Sequence, residues 1–153
     1  MNTIADDYSD LAKRFKLGEG CLGRFCAVDS KVLDAMYSIA RSVYDQEQYA
    51  EAEKMFSVLC LMDHRDMRFW LGLGAARQMQ NNYEDAISAY LYAVYNLAEE
   101  PVLYFYIAQC HLSQGRIAEA DESLSQVIER APNRDLLKRA KALMSELSQR
   151  STH

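Results

Sequence analysis

Cysteine and histidine are the residues best able to do chemistry in this chain of 153 residues, which holds four of the first and three of the second. Cys21 and Cys26 stand five apart in a glycine-containing stretch. A zinc site wants a second such pair, or histidines close to the first; neither follows, and His64 and His111 are far apart along the chain. Cys60 and Cys110 fall in apolar helical runs and read as small buried hydrophobes. Asp63-His64-Arg65-Asp66 gathers acid, base and cation, yet a turn between two helices carries the same residues when helix ends need polar caps. His111 has no Ser, Cys or carboxylate at a telling spacing, so a packed histidine is the expectation. Gly72-Leu73-Gly74 lacks the later glycine of a phosphate cradle and lies in a helical pattern. No catalytic residue, metal ligand or cofactor site emerges, and binding rather than turnover is expected.

Composition narrows the class. Half the residues are apolar and a quarter charged, as in an ordinary soluble domain. A net charge of −5 argues against a nucleic-acid binder, which needs clustered cations. The longest apolar run, Ala89 to Tyr95, is too short to span a bilayer, so no direct membrane insertion is expected. The start, Met-Asn-Thr-Ile-Ala-Asp-Asp, has no secretory pattern. Four cysteines in that context point to reduced thiols in a cytoplasmic setting.

The elements that must position any site are legible from a repeat. Sliding the sequence by 34 aligns Ala40 with Gly74 and Ala108, Tyr49 with Tyr83 and Ile117, Ala52 with Ala86 and Ala120, and Phe56 with Tyr90 and Leu124. The period and residue types are those of tetratricopeptide helical hairpins. Small residues at positions 8 and 20 let paired helices approach, and large residues at position 24 fill the gap between them. The reading is all-α: three tandem tetratricopeptide-type hairpins, an α-solenoid, at 33–66, 67–100 and 101–132. Helix pairs are expected near 33–46 and 50–63, 67–80 and 84–97, and 101–114 and 118–130. Ile117 and Leu124 stand where aromatics are usual, which suggests a looser third hairpin.

Both flanks carry helical stripes. Residues 1–30 hold Ile4, Tyr8, Leu11 and Phe15 at helical spacing, followed by a glycine-rich linker. Residues 133–153 hold Leu136, Ala140, Leu143 and Leu147, the cap a repeat stack needs over its last apolar face.

Positions 2, 5, 9 and 12 of each first helix should line the concave side. The peptide-binding candidates among them are Tyr37, Arg41, Tyr44, Arg68, Leu71, Gln78, Phe105, Gln109 and Leu112. Such a trough suits an extended peptide with apolar anchors, fixed by hydrogen bonds from Arg41, Arg68, Gln78 and Gln109. A clamp for a terminal carboxylate would need Lys, Asn or Arg where Tyr37, Arg41, Gly72, Val102 and Tyr106 stand, and only Arg41 among those is cationic.

The stretch from Leu59 to Gln78 is more specific than a generic repeat. Asp63-His64, Arg68-Phe69, Leu71-Gly-Leu-Gly74 and Arg77-Gln78 resemble the junction of the first two repeats in class II chaperones of bacterial type III secretion systems. The resemblance extends more weakly from about Val32 to Ala131. It implies a cytosolic bacterial chaperone that holds hydrophobic translocator proteins by an extended segment in the groove and keeps them soluble and apart until export. It further implies homodimers through the Ile4–Phe15 stripe, and in some members a transcription activator as partner. The alternative is a general tetratricopeptide adaptor scaffolding a soluble complex.

Overall fold

The computed structural model describes residues 28–150. They form seven helices: α1 (Ser30–Asp45), α2 (Tyr49–Met62), α3 (Met67–Met79), α4 (Tyr83–Asn96), α5 (Pro101–Ser113), α6 (Ile117–Arg130) and α7 (Arg134–Arg150). No strand occurs among the described residues. Three antiparallel hairpins stack in order and α7 closes the stack. Ile4, Tyr8, Leu11 and Phe15, offered above as a dimer interface, lie outside the described residues, as do Cys21 and Cys26.

Local chemistry sets the helix ends. The Asp29 and Asp66 carboxylates accept the backbone N–H groups of Lys31 and Arg68 at 3.0 and 2.9 Å, each capping a first turn. Asn133 does the same for Leu136 at 2.9 Å. Each hairpin turns through a left-handed residue at the same repeat position: Glu47 (φ 61°), Asn81 (φ 63°) and Gly115 (φ 72°). The N–H that follows returns to the carbonyl five residues back, Gln48 to Val43, Asn82 to Arg77 and Arg116 to His111, the bond that satisfies a helix C-terminus.

Small residues recur where helices nest. Ala40, Ala52, Ala86, Ala108 and Ala120 are all fully buried. At Gly74 the space is taken by a ring and not by a backbone. A Cβ there would stand 2.4 Å from Tyr90 Cε1, inside any real contact distance. The large position-24 residues Phe56, Tyr90 and Leu124 are buried as the repeat requires. Of the two residues that suggested a looser third hairpin, Leu124 is wholly buried with Val127 and Ala120 in one core, while Ile117 is 36% exposed. Leucine fills that gap because α7 adds Leu136, Ala140 and Leu147 to the same cluster. Position 7 shows what stacking does: Leu73 and Ile107 are 3% exposed beneath a preceding hairpin, while Ile39 in the first hairpin is 55% exposed.

Candidate peptide-binding groove

The first helices of the hairpins, α1, α3 and α5, share the concave side, where a cleft of about 420 Å³ opens. Tyr37, Arg41 and Tyr44 enter it from α1, and Arg68, Leu71, Gly72, Ala75, Gln78 and Met79 from α3. Tyr106 and Gln109 close it from α5, with Phe56 and Tyr90 behind. The walls are aromatic: Tyr37 packs on Phe56 and Phe69 with centroids 6.1 and 6.0 Å apart, and Tyr90 stacks on Tyr106 at 5.5 Å. Burial pushes the Tyr44 and Tyr90 phenols above their ordinary pKa, so both remain protonated donors near neutrality.

Gly72 lets an aromatic ring form the back of the cleft. A Cβ there would stand 2.3 Å from Phe56 Cε1, so the Phe56 ring lies directly on the α3 backbone. Ala75, one turn on, lines the same cleft with a single methyl. The Tyr90 hydroxyl donates to Gln78 Oε1 at 3.0 Å, which leaves the Gln78 amide nitrogen its donor capacity. Arg68 is engaged within the protein: its guanidinium donates to Asp66 at 2.6 Å and to Asp34 of the previous hairpin at 2.8 Å, and lies over the Tyr37 ring at 5.0 Å. These hydrogen bonds raise the Arg68 pKa further above an already high value.

The cleft therefore brings together Tyr37, Arg41, Tyr44, Arg68, Leu71, Gln78 and Gln109. Phe105 and Leu112 belong elsewhere. Phe105 is 4% exposed in the third core, with the Arg139 guanidinium of α7 4.7 Å above its ring, and Leu112 packs against the same core. Both lie where α7 covers the last hairpin. Tyr106, one residue beyond Phe105, takes the groove position instead. Sequence reasoning named it only as an unsuitable clamp residue, because α5 is apolar around its circumference and shows no preferred face.

Two tetratricopeptide-repeat family models match residues 37–101 and 103–134. The low calcium response locus protein H of Yersinia pestis is 37% identical over 122 residues, 80% of this chain and 73% of that protein. Among solved structures, the Yersinia enterocolitica type III secretion chaperone SycD, in complex with a peptide of the translocator YopD, superposes with a TM-score of 0.74. Identity is 36%, over 81% of this chain and 98% of that one. The Pseudomonas aeruginosa protein PcrH, bound to the chaperone binding region of PopD, is also similar, with a TM-score of 0.74 and 30% identity over 81% of this chain and 96% of that one. This chain belongs to the class II translocator chaperones of type III secretion.

In this translocator chaperone the described side chains Cys60, Cys110 and His111 are packing groups. Burial pushes the Cys60 and Cys110 thiols up to about 12, far from a reactive thiolate. His111 is buried with Nδ1 lacking a hydrogen-bond partner, and burial holds its pKa below the ordinary value. The Asp63–Asp66 turn is structural: Asp63 accepts the Arg65 N–H at 3.1 Å, and the His64 carbonyl accepts the Trp70 indole N–H at 2.9 Å. No helix of the described residues is long and apolar enough to cross a membrane.

Proposed function

We propose that this chain holds a hydrophobic translocator of a type III secretion system in the bacterial cytoplasm, without turnover, by an extended segment of the client laid in the concave cleft. The observation that carries the reading is the cleft itself: aromatic walls with the small residues Gly72 and Ala75 between them, beside the side-chain amides of Gln78 and Gln109. Apolar anchors desolvate against Tyr37, Leu71 and Tyr106, and the amides fix the backbone that has no partners of its own in an extended strand. The structures of SycD with a YopD peptide and PcrH with a PopD region give the reading its precedent. Held this way, the client's apolar segments are kept from one another and from the membrane until export. Homodimerisation through Ile4, Tyr8, Leu11 and Phe15 is part of the proposal, and the exposed apolar side chains of Val32 and Ile39 leave the first hairpin's outer flank free for such a contact.

Co-expression tests it. A pore-forming translocator encoded by the same secretion system, insoluble alone, is expected in the soluble fraction with this protein and absent from it with the Ala75→Arg variant, whose side chain fills the cleft. A translocator that stays insoluble while a soluble protein is captured would favour a general tetratricopeptide adaptor.

A further inference from the structure

We propose that the segment seated in the cleft carries an acidic side chain beside its apolar anchor, and that Arg41 selects it. The proposal rests on the groove reading above and adds the charge of the ligand.

Two arginines line the cleft, and among the described residues no Asp or Glu does. The two cations are not equivalent. Arg68 is compensated by Asp34 and Asp66, both within 2.8 Å of its guanidinium. Arg41 has one ion-pair contact among the described residues, Asp45 on its own helix, at 3.9 Å. That separation is too long for a hydrogen bond, and the pair is exposed, so it holds the guanidinium weakly. The Arg41 side chain is 53% exposed, and its guanidinium carbon lies 6.0 Å from the centroid of the Tyr44 ring. The planar fork therefore stands at an aromatic rim with its donors open.

A carboxylate reaching that rim accepts two parallel N–H bonds, which Asp45 does not occupy. The tyrosine walls lower the local dielectric and strengthen the pairing. A lysine at the same place meets Arg41 with only the exposed Asp45 beside it to offset the repulsion, so the site disfavours a cation as well as selecting an acid. The carboxylate belongs to a side chain within the segment. A chain terminus would need several converging donors, and Gly72 and Val102 offer no side-chain donor where such a clamp requires them.

The test uses labelled twelve-residue peptides with a central leucine, one flanking position fixed in turn as Asp, Glu, Asn, Gln or Lys and the rest randomised. Each pool is titrated by fluorescence anisotropy against the full chain and its Arg41→Gln and Arg41→Glu variants, with circular dichroism confirming that both are folded. The acidic pools at one flanking position should bind the wild type about tenfold more tightly than their amide counterparts, the scale of one charge-assisted pair. The preference should vanish in Arg41→Gln and turn toward Lys in Arg41→Glu. Pools that bind without an acid preference, or keep it in Arg41→Gln, overturn the role of Arg41 and leave the groove reading standing. If no pool binds the wild type, or binding persists in Ala75→Arg, the groove reading falls and this inference with it.

Discussion

Single residues decide whether the hairpins close. At Gly72 and Gly74 an aromatic ring occupies the volume a Cβ would need, at 2.3 and 2.4 Å. Gly74→Ala forces Tyr90 out of its packed position and should cost about 1–3 kcal/mol, read as a lower urea midpoint with an unchanged slope. An unchanged midpoint would mean that the ring can move freely. His111 gives a second test. Its pKa in the folded protein is lowered, chiefly by burial and next by Arg116, against the opposing pull of Glu119, Glu84 and Glu122. Above the unfolded value, about 6.5, both states are neutral and the group contributes no pH dependence. As pH falls through that value the unfolded chain takes up a proton that the folded chain resists, so stability drops. His111→Leu should flatten the stability profile between pH 7 and 5.5, measured by urea titration at each pH; an unaltered slope would contradict this.

At the scale of elements, the turns carry a repeat that residue identity conceals. Glu47, Asn81 and Gly115 share one left-handed conformation, yet only the third is the residue that adopts it freely. Gly115 has open space where a Cβ would go, so Gly115→Ala tests the backbone alone and should lose about 1 kcal/mol. Glu47→Gly should gain about 0.5–1 kcal/mol by relieving the same conformation. Thermal denaturation of the two variants should move in opposite directions, and a shared direction would contradict the assignment. The hairpins were legible because alanines and aromatics recur at 34 residues, and each helix end lies within three residues of where the pattern placed it. The lining of the cleft was legible where a first helix turns one face to it, as at Tyr37, Leu71 and Gln78. It was not legible on α5, which is apolar all round. There α7 covers Phe105 and leaves Tyr106 to the cleft, a choice made by tertiary packing that periodicity does not encode. Phe105→Ala should accordingly cost about 3–5 kcal/mol in stability, whereas Tyr106→Ala should weaken client binding with little loss of helical signal.

For the whole molecule, three hairpins and a cap make a curved stack whose outer and inner surfaces offer different chemistry. Tyr95 is 77% exposed and lies outside the cleft, while Tyr106 stands within it against Tyr90. That contrast allows the central claim to be tested by position. A photo-reactive benzoylphenylalanine is placed at 106 or at 95 in separate variants, each co-expressed with a hydrophobic translocator and irradiated in cells. The account predicts a crosslink to one extended segment of the translocator from position 106 and none to that segment from position 95. Capture of that segment from position 95 alone would contradict it.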